Sequence, residues 1–302
     1  MPERGNRRLR RSLPASVLGK AVEPTLNIDA HQHFWRYDPH RSAWITDEMA
    51  ALKRDFLPEH LLPELAAADV GASIAVQADQ SERETVFLLE CAAQHSKIAG
   101  VVGWVDLCSS SVQERLAFFS QFKKLRGFRH IVQTEPDDRF LLREDFCHGV
   151  GCLSEFGFTY DILIYPKQLP AACEFVGRFP KQPFVIDHLA KPPIRERSME
   201  PWRSQLRTIA VHPNVYCKLS GLITEAEWQN WSADDCKPYL DVAFEVFGVD
   251  RLMFGSDWPV SLVAGTYRQV KDVIGDYTRQ LLAADQAKIF GANAARFYSL
   301  GV

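Results

Sequence analysis

From Leu26 onward the chain alternates short β-type apolar runs with longer stretches whose apolar positions recur at helical spacing. Eight runs stand out: residues 26–30 (LNIDA), 72–77 (ASIAVQ), 98–105 (IAGVVGWV), 127–132 (GFRHIV), 159–164 (TYDILI), 184–188 (FVIDH), 215–219 (VYCKL) and 251–256 (RLMFGS). Two of the helical stretches open in capping-box form, Ser81-x-x-Glu84 and Ser111-x-x-Glu114. Gly71, Gly157 and Gly248 follow apolar helical runs and read as stops that feed the next strand. Strand–helix alternation implies parallel strands joined by crossovers, and eight such units predict an α/β fold, a single-domain (β/α)8 TIM-type barrel over residues 26–302. An open doubly wound sheet is the runner-up, but no GxGxxG follows the first strand, so a dinucleotide site has no support.

Composition adds exclusions. Of 302 residues, 46% are hydrophobic and 24% charged, which excludes disorder as the main state. No stretch approaches the roughly 18 uninterrupted apolar residues of a membrane span. The net charge of −3 conceals an uneven chain, because residues 1–20 carry five arginines and Lys20 against Glu3. Pro14, Ser16, Gly19 and Lys20 break up the apolar run that a translocation signal would need, so residues 1–25 read as a disordered basic extension. The remaining barrel is acidic, which argues against nucleic acid and fits a neutral substrate better than an anionic one. Seven cysteines, an odd number without a CxxC, read as reduced thiols of a cytoplasmic protein.

In a parallel barrel the chemistry collects at the C-terminal ends of the strands. Four of the nine histidines fall there: His31, His33, His130 and His188. Strand alternation predicts that His31 and His33 share the lumen face with Asp29 one step deeper, while Gln32 points away. Two imidazoles so placed make a metal half-site, or a polar cradle for a carbonyl and a water. The last strand runs into 254-FGSDWPV-260, which holds Asp257 at the lip as a general base or a metal ligand. In 185-VIDHLAKPP-193, His188 closes the sixth strand, and its neighbour Asp187 is expected to face the other side in a structural role. Lys218 and Ser220 share a face of the seventh strand, where a lysine inside so apolar a run needs a partner or a task. At 127-GFRHIVQ-133 only one of Arg129 and His130 can face the lumen.

The ordered motifs DAHQHFW, GFRH, IDHLAKP, CKLSG and GSDWPV, with GANAARFY near the end, resemble the amidohydrolase superfamily. The resemblance is to its amidohydrolase 2 branch, with sugar-lactone hydrolases of the L-fuconolactonase and L-rhamnonolactonase type, and it covers essentially residues 26–300. It implies a barrel enzyme whose central polar cluster is His31, His33, His188 and Asp257. Two-metal members carry a bridging carboxylated lysine at strand four, where this chain has Arg129-His130. Many one-metal members take a histidine from strand five, and 160-YDILIYP-166 has none. A single divalent ion such as zinc would therefore rest on His31, His33, His188 and Asp257. Lactone-hydrolysing relatives include metal-independent enzymes, and a lactone is an activated ester that needs less Lewis-acid help than an amide. Both states are compatible with this residue set.

The expected reaction is hydrolysis of a sugar (aldono-) lactone to the aldonic acid in sugar catabolism. Asp257 takes a proton from water, which attacks the ring carbonyl, and then protonates the leaving alkoxide. Lys218, His188, His130, Arg129 or a bound ion would stabilise the oxyanion, while His31 and His33 position the water or the carbonyl. Arg129, Trp35, Trp104 and Trp258 are the expected substrate contacts, since tryptophan faces stack well on sugar rings. Hydrolysis of an aromatic-pathway lactone, of pyrone or muconolactone type, is the nearest alternative; its carboxylates would need several arginines at the mouth, and Arg129 is the main one a motif supplies. A zinc-dependent decarboxylase would want the missing strand-five histidine. An inactive barrel acting as a binding protein is opposed by the intact His, His, His, Asp set. The expected partner is a small-molecule lactone, with no nucleic acid and no membrane, and a homodimer is the candidate assembly.

Overall fold

A computed structural model describes residues 26–301; the expected basic extension over 1–25 lies outside the described residues. All eight apolar runs become strands: β1 (Ile28–Gln32), β2 (Ala72–Val76), β3 (Ile98–Gly103), β4 (Leu125–His130), β5 (Thr159–Ile162), β6 (Phe184–Ile186), β7 (Val215–Leu219) and β8 (Leu252–Phe254). They pair in parallel in sequence order. The circle closes through His33 N–H to Trp258 O at 2.7 Å and Asp257 N–H to His31 O at 2.8 Å. The helices between them are α1 (Pro58–Ala67), α2 (Glu82–Gln94), α3 (Val112–Phe119), α4 (Glu144–Leu153), α5 (Leu169–Arg178), α6 (Trp202–Ala210), α7 (Ala233–Phe247) and α8 (Tyr267–Thr278). Two short ones, α9 (Ala283–Ala287) and α10 (Asn293–Phe297), follow. This is a (β/α)8 barrel. Among the described residues, no helix is long and apolar enough to cross a membrane.

Strand alternation divides the apolar residues between two packing layers. Ile28, Ala30, Ile74, Val76, Val102, Val185 and Met253 fill the lumen, where Phe297 and Tyr298 join them and plug the end at which the strands begin. Phe128, Tyr160, Ile162, Ile186, Cys217, Leu219 and Phe254 face outward into the helical layer. The charged lumen positions of β4, β5 and β7 (Arg129, Asp161 and Lys218) stack above this plug, towards the C-terminal ends.

β1 departs from the expected alternation. Its register against β2 shifts between Asp29 and Gln32, and this bulge reverses the parity of the residues after it. His31 and His33 do both enter the lumen. Asp29 does not share their face: it turns outward to accept from Ser256 N (2.8 Å), Ser256 Oγ (2.6 Å) and Tyr267 Oη on α8 (3.1 Å).

Helix ends follow the sequence in part. Ser81 caps α2 by accepting from Glu84 N at 3.2 Å. Ser111 precedes α3 without a side-chain cap, its hydroxyl instead pairing with Ser109 at 3.0 Å. Gly157 and Gly248 adopt the positive φ expected of stops (72° and 64°), whereas α1 ends before Gly71 because Asp69 takes the left-handed turn at φ 52°.

Glu84 turns back to accept from the N–H groups of Ala78 (2.6 Å) and Asp79 (3.0 Å). Burial outweighs these bonds and lifts its carboxyl to about 7. A folded-state value above the unfolded one means that Glu84 favours folding at low pH, and that this contribution is lost as pH rises from about 4.5 through about 7. Glu84→Gln keeps an acceptor without the charge. The denaturant midpoint of the variant should therefore fall less than the parent's between pH 5 and pH 8; parallel profiles would contradict this account.

Candidate active site

Four side chains from three strand ends converge at the mouth. Asp257 Oδ1 lies 3.3 Å from His33 Nε2, 3.8 Å from His188 Nε2 and 3.9 Å from His31 Nε2. The Nε2 atoms of His31 and His33 are 3.1 Å apart. All four residues are buried. Each imidazole is oriented through its other nitrogen. His33 Nδ1 meets the carbonyl of Val76 at 2.8 Å, so it must carry the proton and leave the Nε2 lone pair facing the site. His188 Nδ1 pairs with Ser220 Oγ at 2.8 Å, and His31 Nδ1 lies 3.3 Å from Asp187 Oδ1 and 3.0 Å from Lys218 Nζ.

The backbone is bent to deliver them. Asp257 (φ 56°) and His188 (φ 52°) both occupy the left-handed region, a strain of order 1–3 kcal/mol per residue that surrounding contacts must offset. Glycines make room: a Cβ at Gly255 would lie 2.7 Å from His31 Cβ, and one at Gly221 would lie 2.8 Å from His188 Cγ. The left-handed run continues from His188 through Leu189, Ala190 and Lys191. This run corrects the expectation for Asp187. β6 ends at Ile186, alternation stops there, and Asp187 and His188 both face inward.

Beneath the four lies a fully buried charged layer. Lys218 Nζ contacts Asp161 Oδ2 and lies 2.9 Å from Asp187 Oδ1. Arg129 Nη1 lies 2.9 Å from Asp187 Oδ2 and 3.3 Å from His31 Nε2, and its Nη2 donates to Gln77. Tyr298 donates to Asp161 Oδ2 at 2.8 Å from the barrel plug. Burial lifts Asp161 to about 6 against the attraction of Lys218. At Asp187 burial pushes upward too, but the surrounding Lys218, His31 and Arg129 hold it well below the carboxylate range. Asp257 follows the same pattern: burial is overcome by His188, His33 and His31, and its carboxyl stays below the ordinary value. Burial depresses His188 to about 4 and His31 well below its usual value. At neutral pH the centre is thus an ionised carboxylate among imidazoles, two of which burial keeps neutral.

Other expected residues lie elsewhere. Because Arg129 takes the lumen position of β4, His130 faces outward: it stacks on Phe140 at 4.7 Å, pairs with Glu135 at 2.7 Å and receives the Trp104 indole N–H at 3.4 Å. It does not join the cluster, which corrects its expected catalytic role. Arg129 is committed to Asp187 and Gln77 rather than open to substrate. Trp35 and Trp258 are buried in one aromatic group, each 5.3 Å from Phe56, so neither offers a face to a sugar. Of the three tryptophans, Trp104 alone keeps part of its surface open. Asp161 and Tyr298 join the site although neither stands at a motif-marked strand end. The signal that marks Lys218 also marks Asp161, an acid equally isolated in an apolar run.

The donor set fits one divalent cation. Ligand atoms of His31, His33 and Asp257 lie within 4.8 Å of one another, as do those of His31, Asp187 and His188, and each imidazole has the outer partner that metal-bound histidines require. Lys218 and Arg129 act the other way, placing two fixed positive charges against His31.

Known proteins resemble this chain in sequence and in fold. The family model described as Amidohydrolase matches residues 28–300. The chain is 44% identical over 286 residues to an L-fucono-1,5-lactonase of Burkholderia multivorans, covering 91% of this chain and 96% of that protein. It is 37% identical over 287 residues to an L-fucono-1,5-lactonase of Burkholderia ambifaria, with the same shares covered. A crystal structure of an amidohydrolase from Burkholderia multivorans with bound zinc superposes at a TM-score of 0.89, with 43% identity over 91% of this chain and 99% of that one.

Proposed function

The chain belongs to the amidohydrolase family, and from that premise we propose that it opens the ring ester of a sugar lactone to give the aldonic acid, as a step of sugar catabolism. The observation that carries this reading is the Asp257 carboxylate, held ionised at the barrel mouth within reach of three imidazole Nε2 atoms. The two lactonases named above support the substrate class. A cytoplasmic location goes with the seven unbonded thiols.

In the reaction, a water between Asp257 and the imidazole edges loses its proton to Asp257 as its oxygen adds to the ring carbonyl. The tetrahedral oxyanion forms in the field of the buried Arg129 and Lys218 cations, an environment of low dielectric where fixed charge acts strongly. The bond from carbonyl carbon to ring oxygen then breaks, and Asp257 returns the proton to the departing alkoxide. His33, locked by the Val76 carbonyl, turns its Nε2 lone pair to the second proton of the water, and His188, held by Ser220, bounds the same space. A divalent ion, if bound, would rest on His31, His33, His188 and Asp257 and supply Lewis-acid polarisation of the carbonyl; the zinc of the Burkholderia multivorans structure supports zinc as that ion.

Acid release from a panel of aldonolactones, followed with a pH indicator with and without chelator, tests the proposal. Turnover of L-fucono-1,5-lactone or a related aldonolactone is the expected result. Turnover that survives the chelator leaves ester cleavage to Asp257 and the buried cations. Turnover of a pyrone or muconolactone-type lactone, with none on any sugar lactone, would replace this reading.

A further inference from the structure

Beside the catalytic cluster, a second charged pair stands half-open at the barrel mouth. Lys191 Nζ lies 3.4 Å from Glu225 Oε1, with side chains 18% and 22% exposed. Lys191 ends the left-handed run after β6, and Glu225 lies in the loop after β7. Both stems are tied to His188: Lys191 N–H donates to His188 O at 2.7 Å, and Glu225 N–H donates at 3.2 Å to Gly221 O, the glycine against which the His188 ring packs. The ammonium also lies 5.2 Å from the centre of the Tyr165 ring, which comes from the loop after β5. Three consecutive strand-end loops thus bring a cation, a carboxylate and an aromatic ring to one side of the catalytic centre. The pair is electrically coupled to that centre, the charge of Asp257 acting on Glu225 and that of Lys191 on His188.

A structural ion pair explains this arrangement poorly. At 3.4 Å the contact is loose for a charged pair, and the burial that raises the Glu225 carboxyl is only partly offset by Lys191. Most of the hydrogen-bonding capacity is unused. An ammonium has three donors and a carboxylate about four acceptor sites, yet neither side chain has another side-chain or backbone hydrogen-bond partner among the described residues. A ligand that offers a donor and an acceptor on adjacent atoms would complete both groups at once. A vicinal diol does so: one hydroxyl donates to the carboxylate while its neighbour accepts from the ammonium.

We propose that Lys191 and Glu225 form a diol-reading subsite, in which a polyhydroxylated lactone places two adjacent ring or side-chain hydroxyls across the pair while its carbonyl lies at Asp257, with Tyr165 as a flanking wall. The subsite rests on the lactonase reading above and deepens it, because it makes substrate hydroxylation a determinant of turnover. The test compares kcat/KM for a hydroxylated aldonolactone with that for an unsubstituted lactone of the same ring size, in the parent, Lys191→Met and Glu225→Gln. Hydrogen bonds to charged groups are worth about 1.5–3 kcal/mol, so the hydroxylated-to-unsubstituted ratio should fall about 10- to 100-fold in each variant, mainly through KM. A ratio within twofold of the parent's overturns the subsite, whether both activities fall together, as a structural role would have it, or neither falls. Melting curves and circular dichroism of the variants separate misfolding from altered recognition. Parent enzyme that turns over no sugar lactone overturns the proposed function itself; parental turnover with an unchanged ratio overturns the subsite alone.

Discussion

Asp257→Asn should leave a folded protein that turns over a sugar lactone about 10²- to 10⁴-fold more slowly than its parent, the range a positioned general base contributes. An amide is nearly the same size as the carboxylate and can still pair with His33, 3.3 Å away, so the mouth keeps its packing. In the proposed reaction, what disappears is the negative oxygen that would draw the proton from water, together with the acid that the ring oxygen would need on departure. Neither Asp187 nor Asp29 can substitute. Asp187 is committed to Lys218 and Arg129, and Asp29 has turned outward to Ser256 and Tyr267. The measurement is kcat by pH indicator, alongside a melting curve. A variant that melts like the parent and stays within tenfold of its kcat would remove Asp257 from the chemistry.

The largest stability effect is expected at Lys218. This ammonium is 0% exposed and neutralises two buried carboxylates, Asp161 and Asp187. Lys218→Met leaves them uncompensated except for Arg129, and breaking a buried pair from one side costs about 3–5 kcal/mol. Asp161→Asn in the Lys218→Met background should recover a substantial part of that loss. It removes one of the stranded charges and keeps an acceptor for Tyr298, while Arg129 still holds Asp187 at 2.9 Å. Urea unfolding of the parent and both variants measures the difference. A Lys218→Met protein within about 1 kcal/mol of the parent would contradict the pairing, since surface-like charges behave in that way.

Much of the site was legible because a strand end is a local feature. His31, His33, His188 and Asp257 each stand where an apolar run gives way to a turn, and those four do converge. Asp29 and Asp187 depart from expectation for one shared cause. Period-two alternation fails where the strand is not regular: across the β1 bulge for Asp29, and beyond the end of β6 for Asp187. At either place a shift of one residue sends a side chain to the other face. Where β4 stays regular, the rule that only one of Arg129 and His130 faces the lumen holds, but it could not say which. Trp35 and Trp258 failed differently, since an aromatic near a mouth packs against other aromatics as readily as against a sugar.

The eight strand–helix units, the order of the motifs and the chemical types waiting at the strand ends are all local properties of the chain, because hydrophobic period and turn residues act over a few neighbours. Which charges meet is set by the folded barrel. Lys218 joins Asp161 from 57 residues away and His31 from 187, and Tyr298 reaches Asp161 across 137. Such pairings depend on barrel closure, on the plug formed by the last helix and on the left-handed turns at His188 and Asp257. Burial then sets their protonation. None of these quantities is local, because desolvation and charge coupling belong to the space a side chain enters rather than to its neighbours along the chain.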